Sequence, residues 1–221
     1  MTIVDANTIR VGAWYALEQA GRLLVAAATI ADSGDRVTAV VLAMFGREEI
    51  GRSKLLQDLA KYADSGHTLG PADVRKACDD HLKKQSAANL STTLRSESPS
   101  ALATAARQQL VEETGSPGWS RANQVGKQAA AAKRKRDPGA RHSARMACLY
   151  VDLDETMTWQ RPIHWSQAEA QNLMFDAITD YACERDRLES FAADYPEMSR
   201  ARAGLAPEFQ LPVPPRPRLT G

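Results

Sequence analysis

Two stretches with helical periodicity, residues 8–31 and 35–63, are separated only by the turn Ser33-Gly34-Asp35. In the first, Leu17, Ala20, Leu24, Ala27 and Ala31 recur every three or four residues, which places them on one face of a helix capped by Asn7 or Thr8. Helices this long, joined by so short a turn, have to fold back on each other as an antiparallel hairpin. Composition agrees with a helical chain. Alanine, the best helix former, occurs 37 times in 221 residues, against 13 aromatic residues. The 43% apolar and 25% charged content is that of an ordinary globular chain.

The second helix carries the most informative anomaly. Its apolar stripe runs Val37, Val41, Met44, Glu48, Gly51, Leu55, Leu59 and Tyr62, so Glu48 falls where the helix should meet its neighbours. A buried carboxylate needs a cation, a hydrogen-bond donor or a proton, and breaking such a pair costs roughly 3–5 kcal/mol. Gly51, one turn on, gives up about 1 kcal/mol against alanine, which the close approach of another backbone would explain. A buried acid that only fixes helix packing satisfies the same pattern.

The expected partners lie on a third helix, residues 71–95, which starts at Pro71 and carries Val74, Ala77, Cys78, His81 and Leu82 along one side. Arg75 and His81 suit phosphodiester chemistry. The imidazole exchanges a proton near neutral pH, and the guanidinium offers a fixed charge and a donor fork to phosphate oxygens. Arg136 and His142 repeat this spacing across Pro138-Gly139. For either pair, a solvated arginine and an unremarkable histidine is the plainer explanation.

The rest of the chain sorts by charge and breakers. A short helix is expected near 100–113, another over 119–136, and an extended piece over 147–153. A final helix over 166–193 has Ser166 and Glu169 as a capping box, with Ala170, Leu173, Ile178 and Tyr181 on its apolar side. Net charge is only +1, yet residues 121–145 hold eight basic residues and one acid. Lys133, Arg134, Lys135, Arg136 and Arg145 either end a solvated helix or grip a nucleic-acid backbone. No aromatic lies among them to stack bases, and side chains that read duplex DNA are scarce, which disfavours a transcription regulator. Asp152, Asp154 and Glu155 read as exposed acids rather than as a cation site, and no metal or cofactor is expected. Cys78, Cys148 and Cys183 form no CxxC pair, so neither a disulfide framework nor a cysteine zinc site is expected, and a reducing, cytoplasmic setting fits. Residues 23–45, the most apolar stretch, contain Asp32, Asp35 and Arg36 and make a poor membrane span. Nucleotide-hydrolase, dinucleotide and nucleophile-elbow motifs are absent.

Taken together, these pieces resemble the AbiV family of abortive infection proteins, phage-defence members of the HEPN superfamily. The resemblance rests on AVVLAMFGREEIGRSKLL within residues 26–59, on His81-Leu82-Lys83-Lys84, on Leu149-Tyr150-Val151-Asp152, and on Trp159 with Pro162, in the family's order over residues 10–190. Arg52 stands where the family usually has lysine, and Lys76 follows Arg75 where related motifs usually carry a polar or acidic residue or histidine. The resemblance implies an all-α, HEPN-like antiparallel bundle over residues 1–195. The residues themselves place the basic segment 119–145 within that domain, Tyr150 and Asp152 in a short extended motif, and a flexible Pro-rich tail over 196–221; the long basic stretch departs from the family's pattern and the tail has no counterpart in it. The resemblance also implies a homodimer and metal-independent RNA cleavage, with a phage protein as a candidate activator. In that scheme Arg75 and His81 are catalytic, with Arg136 and His142, where Asp137 follows the arginine as the motif prefers, kept as the alternative pair; Glu48 or Glu49 orients the catalytic residues, and Arg52, Lys84 and the basic segment hold RNA. A non-catalytic module that binds a phage or host component is the competing expectation.

Overall fold

The computed structural model describes residues 2–95, 145, 148, 149, 152, 153, 157–160 and 165–215. Helices α1 (Ala6–Asp32) and α2 (Arg36–Asp64) form the expected hairpin and the centre of an all-helical bundle. Both start with the same device. Asp5 accepts from the Thr8 N–H and hydroxyl, and Asp35 accepts from the same two groups of Thr38. The cap of α1 is therefore Asp5 rather than Asn7 or Thr8. A carboxylate offers two acceptor oxygens, and Thr8 supplies two donors to match. Gly34 turns the chain between the helices at φ +96°, a conformation that favours glycine.

The predicted face of α1 is buried at Leu17, Ala20, Leu24 and Ala27, while Ala31 is half-buried. On α2, Val41, Met44, Glu48 and Gly51 are buried, but Val37, Leu55 and Leu59 are only half-buried. Tyr62 is exposed and stacks on His67. The stripe drifts because α2 packs on several sides at once. Ala39, Ala43 and Ile50 join the core cluster that includes α1, Val40 and Met44 join Ala170, and Gly51 meets a further helix.

That further helix corrects the sequence reading. Residues 71–95 are two helices, α3 (Pro71–Asp79) and α4 (His81–Arg95), broken at Asp80, whose backbone is extended at ψ 109°. The Asp80 carboxylate accepts from the N–H groups of Leu82 and Lys83 and so starts α4 as its cap. The predicted common side therefore does not exist: Cys78 is buried, while Leu82 is exposed. α4 crosses α2 very closely. A methyl group at Gly51 would lie 1.8 Å from the Lys84 carbonyl oxygen, so the expected close backbone approach is present.

Helix α5 (Gln167–Asp194) starts at the Ser166–Glu169 capping box and packs on α1, α2 and α4. Among the described residues of the stretch expected to be extended, Cys148 and Leu149 are helical, while Asp152–Leu153 are extended and pair antiparallel with Trp159–Gln160. The expected helices near 100–113 and 119–136 lie outside the described residues, as do Tyr150 and Pro162.

The free Pro-rich arm expected after residue 195 is also corrected. Pro196–Ala203 form α6, and residues 204–215 lie against the bundle. Phe209 sits edge-on to Trp14 and Tyr15, and the buried Tyr181 hydroxyl donates to the Pro212 carbonyl. Apolar side chains and a buried hydroxyl in need of an acceptor hold this segment, neither of which its proline content reveals. Residues 216–221 lie outside the described region.

Two substitutions test these joints. Gly51→Ala is expected to lower unfolding free energy by at least about 2 kcal/mol in urea titration, despite alanine's better helix propensity, because a backbone must move. Asp35→Ala is expected to cost about 1 kcal/mol at pH 7. The Thr38 hydroxyl and N–H hold the Asp35 carboxyl below its usual value. Its contribution is therefore complete above about pH 4 and is lost as pH falls through the lowered folded value, so mutant and parent should converge in acid.

Candidate functional site

Glu48 faces α4 from the middle of α2 and is 2% exposed. Its two carboxylate oxygens have different partners. Oε1 accepts from Arg145 Nη1 at 2.6 Å and from Gln85 Nε2 at 3.0 Å. Oε2 lies 2.6 Å from His81 Nδ1 and 3.9 Å from Lys84 Nζ. Three of these partners come from the first turns of α4, which the Gly51 contact presses onto α2. Every one of them is a donor or a cation, as a buried carboxylate requires.

The partners differ in exposure. Lys84, Gln85 and Arg145 are buried, whereas the His81 side chain is 48% exposed. A carboxylate on Nδ1 favours the tautomer with its proton there, which makes Nε2 the basic nitrogen. One nitrogen is thus tied to a buried acid while the ring reaches the surface, the form of a positioned acid–base group. Arg145 Nη1 lies 3.4 Å from the same Nδ1, and its guanidinium sits over the Phe45 ring at 5.4 Å.

The structure therefore gathers Glu48, His81, Lys84 and Arg145 from the sequence-derived set and adds Gln85. It does not gather Arg75. That side chain is exposed on α3 and makes no hydrogen bond or ion pair among the described residues, because the break at Asp80 separates its helix from that of His81. Lys84 and Arg145, expected to hold RNA, are instead committed to Glu48. Glu49 points beside the cluster and pairs with the half-exposed Arg52 at 3.3 Å. Burial pushes the Glu49 carboxyl above its usual range, against the pull of Arg52 and Lys84. Burial likewise raises the Cys78 thiol next to these groups. Lys133, Arg134, Lys135, Arg136 and His142 lie outside the described residues, and Asp152 is described only as part of its strand pairing. Among the described residues no three His, Cys, Asp or Glu side chains are grouped to hold a metal ion, and no helix is long and apolar enough to cross a membrane.

A second set of buried charges escaped the sequence reading. Asp180 and Glu184 on α5 are fully buried. Asp180 pairs with Arg47 at 2.7 Å, and Glu184 accepts from Gln57 Nε2 at 2.7 Å and from Arg187 Nε at 3.0 Å. Lys54, 3.9 Å from Glu184, has its pKa lowered by burial. The signal was present: both acids fall in step with the buried Ala177, Tyr181 and Leu188, the same anomaly that marks Glu48 on α2.

Glu48→Gln is expected to destabilise the fold by roughly 3–5 kcal/mol in denaturant titration, because it leaves Arg145 and Lys84 buried without their counter-charge.

The family model HEPN_AbiV, described as AbiV, matches residues 8–181. No curated protein and no solved structure matches the chain. The family match spans α1 to the middle of α5 and contains Glu48, His81 and Arg145, and on it the chain belongs to the AbiV family of HEPN proteins, an abortive-infection type of defence protein.

Proposed function

We propose that this protein cleaves RNA without a metal, using His81 as its acid–base group. The observation that carries the reading is the half-exposed imidazole held through Nδ1 by a buried carboxylate. RNA supplies its own nucleophile. His81 Nε2 takes the proton of a ribose 2′-hydroxyl as that oxygen attacks the adjacent phosphorus. The bond to the 5′-oxygen breaks, and the same proton returns to the departing oxygen. The products are a 2′,3′-cyclic phosphate and a 5′-hydroxyl end. Glu48 positions the ring and does not touch substrate. The exposed Arg75 and Lys83, and the half-exposed Arg52 that pairs with Glu49, are the cations offered to phosphate, since Lys84 and Arg145 are used within the site.

A second reading has its own support. The burial of Glu48, Gln85, Lys84 and Arg145 is also what a packing lock looks like, and a locked bundle would act by binding a phage or host component. Stability separates the two. On the catalytic reading His81→Ala abolishes RNA cleavage and the cyclic-phosphate ends, while the half-exposed ring costs less than about 1 kcal/mol of stability. Cleavage that persists in His81→Ala removes this histidine from the chemistry. A loss of about 2 kcal/mol or more, with no cleavage by the parent protein, favours the binding module.

A further inference from the structure

The C-terminal segment docks on the bundle without filling the space beside it. Between Trp14 on α1, Glu189 on α5, Arg202 on α6 and the side chains of Leu205, Phe209 and Leu211 lies a cavity of about 380 Å³. Trp14 is fully buried, yet its indole N–H finds no acceptor among the described residues. Arg202 and Glu189 line the same cavity with opposite charges, and neither forms an ion pair among the described residues. We propose that this cavity is a binding site for a free α-amino acid with an apolar side chain. Its carboxylate meets Arg202 and the Trp14 N–H, its ammonium meets Glu189, and its side chain lies against Leu205, Phe209 and Leu211. The site goes beyond the ribonuclease reading and does not depend on it.

Each part of such a ligand answers something the chain leaves open. An indole nitrogen can only donate, so a buried one calls for an acceptor, and nearly all buried donors have one. The Arg202 guanidinium lies over the Trp14 ring at 5.8 Å, which sets a fixed positive charge beside that same ring. A donor and a cation together select a carboxylate, which has an oxygen for each. Glu189, half-buried, offers only acceptors when ionised and selects an ammonium. A purely anionic ligand would bring its charge towards Glu189, and a purely cationic one towards Arg202, so a molecule carrying both charges fits best. The apolar wall is fixed in place. The Ala206 N–H donates to the Tyr15 hydroxyl at 2.9 Å and the Tyr181 hydroxyl to the Pro212 carbonyl at 2.8 Å, which pins the segment on both sides of Phe209. Phe209 itself sits edge-on to Trp14 and Tyr15. The volume is at the lower end of the range for small-molecule cavities, the size for a single amino acid and not a long peptide. Arg202 is exposed, so the ligand's charged end is met from solvent.

The test is calorimetric titration of the full chain with L-leucine, glycine, 4-methylpentanoate and 3-methylbutylamine, the last three lacking in turn the side chain, the ammonium and the carboxylate. L-Leucine should bind saturably at about 1 mM or below, and each of the other three about tenfold or more weakly. Added L-leucine should also shift the Trp14 indole N–H resonance downfield in nitrogen-edited NMR, as that donor gains its acceptor. Arg202→Met and Glu189→Gln, neither of them in the buried core, should each weaken L-leucine about tenfold or more. His81→Ala should leave L-leucine binding unchanged, which separates this site from the one assigned to RNA. No saturable binding up to about 10 mM L-leucine overturns the proposal. So does a singly charged analogue that binds as tightly as L-leucine, a Trp14 resonance that stays put at saturation, or binding that survives both cavity variants undiminished.

Discussion

The carboxylate of Glu48 is the constraint around which this bundle is arranged. An ionised acid at the centre of a helical interface is tolerated only if donors surround it, and here they come from two separate parts of the chain. α4 brings His81, Lys84 and Gln85, and residue 145 brings a guanidinium from 97 positions away. The missing side chain at Gly51 is what allows α4 near enough to deliver its share. Packing and chemistry are therefore the same arrangement seen from two sides: whatever seats α4 on α2 also aims the imidazole.

α2 repeats this solution on its other flank. Arg47, next in sequence to Glu48, turns toward α5 and meets the fully buried Asp180, and about two and three turns further on Lys54 and Gln57 meet Glu184. A helix with opposite charges buried on adjacent faces cannot rotate about its axis without stranding one of them. Pairs of this kind add less to net stability than well-packed apolar groups would, but they define the rotational setting of α2 against its neighbours. That setting decides which way Glu48 points.

Much of this was legible in the sequence, and the gaps have physical causes. The hairpin, the start of α2 at Asp35 and the capping box of α5 follow from local spacing, because the interactions that form them are local. Glu48 stood out because one helix's periodicity shows which residues are inside. Its histidine partner lay close enough along the chain to be named with it. Arg145 was picked out only for its charge, since no periodicity links a buried acid to a cation 97 residues on, and its commitment to Glu48 is a tertiary fact. The expected meeting of Arg75 with His81 does not form, for the opposite reason. Its spacing from His81 was read as if both belonged to one rod, and a pair of aspartates, Asp79 and Asp80, was not read as a cap. The docked C-terminal segment was hidden because proline content reports backbone stiffness and says nothing about an aromatic anchor such as Phe209 or a hydroxyl such as that of Tyr181.

The interruption at Asp80 has a mechanical meaning. Within one continuous helix, a load applied to its early residues is transmitted as a rigid lever to its later ones. Here α4 begins afresh, with its own first-turn donors satisfied by Asp80. A ligand or subunit that tugs on α3 bends the chain at a single extended residue, and the imbalance ends there. The imidazole's aim is thereby insulated from events on the preceding helix and answers chiefly to α2.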